Sequence, residues 1–366
     1  MLRVAEAFAA LEDPRRPNAR HHELLDILVI AFCASLCGAE SCVDMADFAE
    51  AKEAVLREFL ALEGGPPSHD TFSRVFRLLD PARFAACFQA YLDQLGAVCR
   101  GHVALDGKTL RGAHDRAAGV SPLQMVSAFA SETRLTLGQM AVDAQSNEIP
   151  AVRALLSLLS LEGCTVTLDA LHAQRETAQA LLAQGADYIL ALKGNQGTLC
   201  EDVRTLLDDS GLPIHDRAQT VEADHGRIET REAHLLTDLT WLPEQHHWPG
   251  LAGVGKLRDT REDKATGTVQ TQVRYYLLSR VMTAQEFLDT VRAHWTIENS
   301  LHWVLDVVMR EDEARARKDH APANLAILRR MALNTIKTNK DKGSNRLKFK
   351  RAGWDDRFLR KLIAQC

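Results

Sequence analysis

Two short β-branched apolar runs each close on an aspartate, and a third acidic residue sits inside a segment of helical periodicity. The runs are HVALD, ending at Asp106, and CTVTLD, ending at Asp169; the helical segment is HWTIENSLHWVLDV, which carries Glu298. A β-branched run of this length reads as a strand, so each aspartate falls at or near a strand end. Ile297, Leu301, Val304 and Val308 recur at helical steps as an apolar stripe, while His294, Glu298, His302 and Asp306 follow at i+4 on another side. The helix therefore turns Glu298 away from its core-facing side. Strand-Asp, strand-Asp and helix-Glu can hold two divalent cations roughly 4 Å apart over a phosphodiester, because hard cations take carboxylate oxygens. A solvated polar helix face with i+4 pairs is routine. The two strand aspartates are what favour the metal reading over that one.

The remaining pattern divides the chain. Residues 1–98 read as helical: Leu24, Leu25, Leu28, Val29, Phe32 and Leu36 mark one buried helix. A second helix is predicted over 44–62 and ends at Gly64-Gly65-Pro66-Pro67, a strong breaker. Ser68 is placed as the cap of a third, SHDTFSRVFRLL, whose outward residues include His69, Ser73, Arg74 and Arg77. Helix, tight turn and capped helix fit a DNA-reading helix-turn-helix with Arg74 and Arg77 as contacts. They also fit a small bundle that buttresses the rest, which is the favoured reading. From residue 99 onward strands dominate. Three strands (the second and third joined by a hairpin at Glu132-Thr133), helix, strand, helix and strand place Asp106 and Asp169 on neighbouring strands. Residues about 200–280 read as a β-rich insertion before one long helix over 284–309 that carries Glu298.

At 366 residues the chain is long enough for two domains and a substantial core. A formal net charge of −5 speaks mildly against a polyanion partner, but the charge is segregated. From Arg329 to the end, twelve basic residues face three acidic ones. A basic segment of this kind fits a nucleic-acid partner, and equally a solvated basic terminus. The eight cysteines show no CxxC pair, so buried free thiols in a reducing cytoplasm are expected rather than zinc ligands. The opening residues do not read as a signal peptide, and the apolar run 27–36 is too short to span a bilayer. A soluble, cytoplasmic protein with no membrane partner is expected.

The blocks around these residues resemble those of the DDE transposases of bacterial insertion sequences, in the branch that includes the H-repeat-associated proteins. They are DPRRPNARHHELLDILVIAFCASLCGAES, PPSHDTFSRVFRLLDP, LDGKTLRGA, SNEIPAV, TLDALHAQRETA, DYILALKGNQ, HGRIETR and HWTIENSLHWVLDVVMREDEARAR, so the resemblance runs nearly full length. It implies an α/β fold: a ribonuclease-H-like catalytic core (99–337) with the β-rich insertion, preceded by the all-helical N-terminal domain (1–98) and followed by a basic C-terminal tail (338–366). It also implies DNA cleavage and strand transfer with Mg²⁺, Mn²⁺ substituting, and Asp106, Asp169 and Glu298 as the catalytic, metal-binding triad. The implied partners are double-stranded DNA, meaning terminal inverted repeats and target, and further copies of the chain on that DNA. A metal-dependent nuclease without strand transfer, or an inactive DNA-binding derivative, are the alternatives.

One departure stands out. Many related transposases carry Tyr and Arg before the Glu and Lys after it, where this chain has Val291, His294 and Leu305. His294, His302 or Asp306 are the polar residues available to substitute. Lys108 and Arg111, just past Asp106, and Lys193, at the end of the following strand, are placed as phosphate contacts; each is also readable as a surface cation. His172 and Gln174 lie just past Asp169 and could orient it. Trp295 and Trp303 flank Glu298 and are read as core packing rather than base stacking.

Overall fold

The computed structural model describes residues 3–95, 99–114, 119, 121–143, 145–208, 216–224, 226–239 and 241–365. The strands are β1 (His102–Leu110), β2 (Leu123–Ala130), β3 (Leu135–Ala141), β4 (Thr165–Leu168), β5 (Asp187–Leu192), β6 (Asp216–Asp224), β7 (Arg227–Leu236), β8 (Gly253–Asp263) and β9 (Val269–Leu278). They form one sheet in the order β3-β2-β1-β4-β5-β9-β8-β7-β6. β1, β2 and β3 pair antiparallel, and β4 and β5 then add parallel to β1. Parallel neighbours need crossovers, and the helices Glu148–Leu156 and Arg175–Ala183 supply them. This is the ribonuclease-H-like order expected from the strand and helix pattern, with Arg134 in the left-handed region at the β2–β3 turn. The β-rich insertion does not form a separate body. β9 pairs antiparallel with β5, so β6–β9 extend the same sheet.

Side chains alternate across a strand, and that alternation sorts β1. Val103 and Leu105 join an apolar core with Val152, Leu155, Leu181 and Val203 from the helices Glu148–Leu156, Arg175–Ala183 and Gly197–Asp208. Ala104 faces the other way, into a core shared with Ile297, Leu301 and Leu305. Asp106 and Lys108 lie on the Ala104 side by the same two-residue period.

That second core is built from both ends of the chain. Ile27, Phe32, Phe72 and Phe88 from the N-terminal helices pack with Leu333, Ile336, Phe358 and Leu362. The last four belong to the helices Ala321–Thr338 and Asp356–Gln365. The basic C-terminal segment is thus two packed helices, Asn345–Trp354 and Asp356–Gln365, reached through the helix Ala321–Thr338. Many of its cations are satisfied internally: Arg330 pairs with Glu311, Arg360 with Glu58, and Lys361 with Asp341. Lys337 donates to the carbonyls of Arg134 and Ser300, and burial pushes its ammonium down to about 7.

Two local expectations change. The helix read over 44–62 is Cys42–Ala51 followed by Glu53–Leu56, broken at Lys52, and its start is a Ser41/Asp44 capping box. Ser68 sits at the N-cap of His69–Leu78, but its hydroxyl makes no cap bond and lies 3.3 Å from Thr71 Oγ1. All seven described cysteines are free thiols, and Cys366 lies outside the described residues. Among the described residues no helix is long and apolar enough to cross a membrane.

Candidate active site and metal centre

β1 and β4 pair in register through Ala104 and Thr167, so Asp106 and Asp169 each follow two residues on, at the same level of neighbouring parallel strands. The chain that carries Glu298 crosses this sheet face. The helix expected over 284–309 runs as Ala284–His294 and, past a turn at Trp295, as 296–307, with a π-helical turn Glu298–His302 inside the second stretch. In the π turn the Trp303 amide donates to the Glu298 carbonyl, one residue further than an α-helix allows. The wider turn brings Leu301 and His302 inward together, at 0% and 6% exposure.

Asp106, Glu298 and His302 each offer one ligand-type atom, and these atoms lie within 4.8 Å of one another. His302 Nδ1 is 3.5 Å from Asp106 Oδ2 and 3.8 Å from Glu298 Oε2. Asp169 lines the same cleft, about 270 Å³, with Thr167, Lys193, His294, Trp295 and the other two carboxylates. Its own carboxylate is turned toward the residues that follow it. Oδ1 accepts from the Leu171 amide at 3.1 Å and sits 3.7 Å from His172 Nε2. His172 in turn lies 3.3 Å from Glu148 Oε2, and the Glu148 carboxylate occupies the space a side chain at Gly107 would need.

Burial raises the Asp106 carboxyl to about 6, with His302 opposing the rise and Glu298 adding to it. Glu298 is held below its ordinary value, chiefly by the His302 side chain. Burial lowers His294 to about 4 and His102 to about 3, so both are neutral. They are joined: Ser131 Oγ lies 2.7 Å from His102 Nδ1, and Thr167 Oγ1 lies 2.7 Å from both His102 Nε2 and His294 Nδ1. A half-buried carboxylate with a second carboxylate beside it and, among the described residues, no cationic side chain but His302 nearby is a place for a cation. Two carboxylates and an imidazole suit a divalent one, and Asp106, Glu298 and His302 would hold it.

The expected phosphate contacts divide. Lys193 lines the cleft and is exposed, and Arg74 is exposed on its helix. Arg111 is exposed, with Nε 3.5 Å from Asp312 Oδ2. Arg77 is bonded to Asp319 at 2.7 Å, which ties its helix to the C-terminal half. Lys108 does not reach out as a phosphate contact. Its ammonium is buried among Asp306 (2.7 Å), Asp312 (2.9 Å) and Glu311 (3.6 Å), and these carboxylates raise its pKa against the effect of burial. His294 and His302 are likewise engaged, His294 with Thr167 and His302 beside the carboxylates. Trp295 and Trp303 are exposed rather than packed in the core, and the Arg274 guanidinium stands 5.2 Å over the Trp295 ring. His302 as a neighbour of both carboxylates is signalled by its i+4 spacing from Glu298. The Glu148–His172 contact carries one signal, the glycine that directly follows Asp106.

A sheet of this order with three acidic residues facing one cleft defines a class, and comparison with known families gives the same one. Residues 98–335 match the transposase DDE domain, and residues 5–92 match the DDE_Tnp_1-associated domain. The chain belongs to the DDE transposase family, in its H-repeat-associated branch. It is similar to the transposase-class protein YncI of Escherichia coli O157:H7, 35% identical across 99% of this chain and 95% of that one. It is also similar to the H repeat-associated transposase-class protein YhhI of Escherichia coli K12, 34% identical across 100% of this chain and 98% of that one. An uncharacterised protein of Xanthobacter autotrophicus is 42% identical over 74% of this chain and 92% of its own length.

Proposed function

We propose that this protein binds the double-stranded DNA ends of its insertion sequence and catalyses phosphodiester cleavage and strand transfer there. The observation that carries the reading is the meeting in one cleft of Asp106 from the middle of β1, Asp169 just past the end of β4 and Glu298 from the π turn, all within the family's domain. Divalent ions bound there would acidify the attacking water or 3′-hydroxyl and neutralise charge on the leaving oxygen. The chain's own part is to present the half-buried Asp106 and the exposed Asp169 and Glu298 on rigid elements, and to offer Lys193, at the cleft edge, to a phosphate. The neutral His294, which lines the cleft, is held in orientation by Thr167. The partners that follow are terminal inverted repeats, target DNA and a second copy of the chain on that DNA.

The test is incubation of the full chain with its own element's end DNA and Mg²⁺ or Mn²⁺. Strand-specific nicks followed by joined products are expected, and Asp106→Asn, Asp169→Asn or Glu298→Gln should each abolish both while DNA binding persists. Cleavage without joining would assign a metal-dependent nuclease. Near wild-type nicking by Asp169→Asn would remove Asp169 from the site.

A further inference from the structure

We infer that the metal centre of this protein has a mixed donor set, with His302 Nδ1 as a nitrogen ligand alongside Asp106 and Glu298, and that it therefore favours Mn²⁺ over Mg²⁺. The inference rests on the metal-dependent reading above and specifies which atoms form its centre. His302 is 6% exposed, so its ring is fixed by packing rather than by water. Nδ1 is the nitrogen turned to the carboxylates, at 3.5 and 3.8 Å. Those separations are long for hydrogen bonds. Donors about 2.1 Å from one octahedral ion lie about 3 Å apart when adjacent and about 4.2 Å apart when opposite. The observed 3.5 and 3.8 Å lie between these two values, so side-chain shifts of about 0.5 Å would seat Nδ1 and both carboxylates on one ion.

Nε2 is buried and has no hydrogen-bond partner among the described residues. The ring is thus held with one nitrogen committed to the cluster and the other to no acceptor. Asp169 lies outside this compact group, its Oδ1 bonded to the Leu171 amide. The third donor closest to Asp106 and Glu298 is therefore an imidazole, not a carboxylate. Imidazole nitrogen is a poor donor to Mg²⁺ and a good one to first-row transition ions, so its presence shifts selectivity toward the latter.

Pulsed electron paramagnetic resonance of Mn²⁺ bound to the full chain tests this without reference to turnover. Nitrogen-14 modulation is expected, and it should change to the nitrogen-15 pattern when the unmodified protein is labelled only at histidine with that isotope. The modulation should persist in His294→Gln and vanish in His302→Gln. His302→Gln should weaken Mn²⁺ binding about tenfold or more, while Mg²⁺ binding, read by competition, stays within about twofold. Should His302→Gln fail to fold, the labelling of the unmodified chain decides the matter. Bound Mn²⁺ with no histidine nitrogen coupling would overturn the mixed centre while leaving the carboxylate site standing. Mn²⁺ binding unchanged in both Asp106→Asn and Glu298→Gln would instead remove the metal-dependent reading beneath it.

Discussion

Burial acts in opposite senses on the acids and bases around this cleft. It pushes Asp106 up to about 6 and pushes His102 and His294 down to about 3 and about 4. Below pH 6.5 the unfolded chain protonates both histidines while the folded chain holds them neutral. Their stability contribution is therefore complete above that pH and is lost as pH falls toward the folded values. Asp106 has the opposite sign, because its folded form takes a proton near pH 6 that the unfolded chain accepts only near 3.8. From these three groups one net proton remains, a loss of about 1.4 kcal/mol per pH unit between roughly pH 6 and 4. Urea unfolding across that range should show the slope, and His102→Asn should flatten it; an unaltered slope would mean that His102 is not the neutral buried base. Lys108 poses a related question of charge. Removing it leaves Asp306, Glu311 and Asp312 together with less compensation, and Lys108→Met should cost about 3–5 kcal/mol. A phosphate contact would behave differently, losing DNA affinity with stability intact.

The elements that hold the site differ in how far their residues announce them. HVALD and CTVTLD alternate or branch as strands must, and the two-residue period alone puts Asp106 and Lys108 on one face. The Glu298 segment announces its helix but not its π turn. Ile297, Leu301, Val304 and Leu305 form an apolar stripe through the turn, and His302 is buried beside it. Trp295 and Trp303, flanking Glu298, read as core packing, yet both are exposed. Removing one residue from the turn tests its role. Deleting the exposed Asn299 should restore α-helical spacing and leave room inside for only one of Leu301 and His302. Divalent-cation affinity, measured calorimetrically, should then fall with helical circular dichroism retained. Unchanged affinity would show that the π turn is not what brings His302 to the carboxylates.

At the scale of the whole molecule, the two ends of the chain form one body, a fact that no local pattern carries because it depends on packing between residues more than three hundred positions apart. Ile27 and Phe32 are fully buried in the same core as Leu359 and Leu362. Cutting the basic segment away would therefore strip the N-terminal helices of their partner, and any loss of DNA binding would be uninterpretable. Charge substitution avoids this. Lys342, Arg346, Lys350 and Arg357 are exposed on that segment, whereas Arg329, Arg330 and Lys348 are buried. If the exposed four face a DNA backbone, each phosphate they neutralise adds about 0.9 to the slope of log affinity against log salt. Replacing all four with Gln should make that slope shallower by up to about 3.6, equally on end and random DNA, with thermal stability unchanged. Arg74→Gln should act differently if its helix reads bases, weakening end DNA more than random DNA. Identical slopes for the fourfold variant and the parent would make the basic segment a solvated surface, and would leave Lys193, Arg111 and the sheet-extending strands as the remaining candidates for the backbone contact.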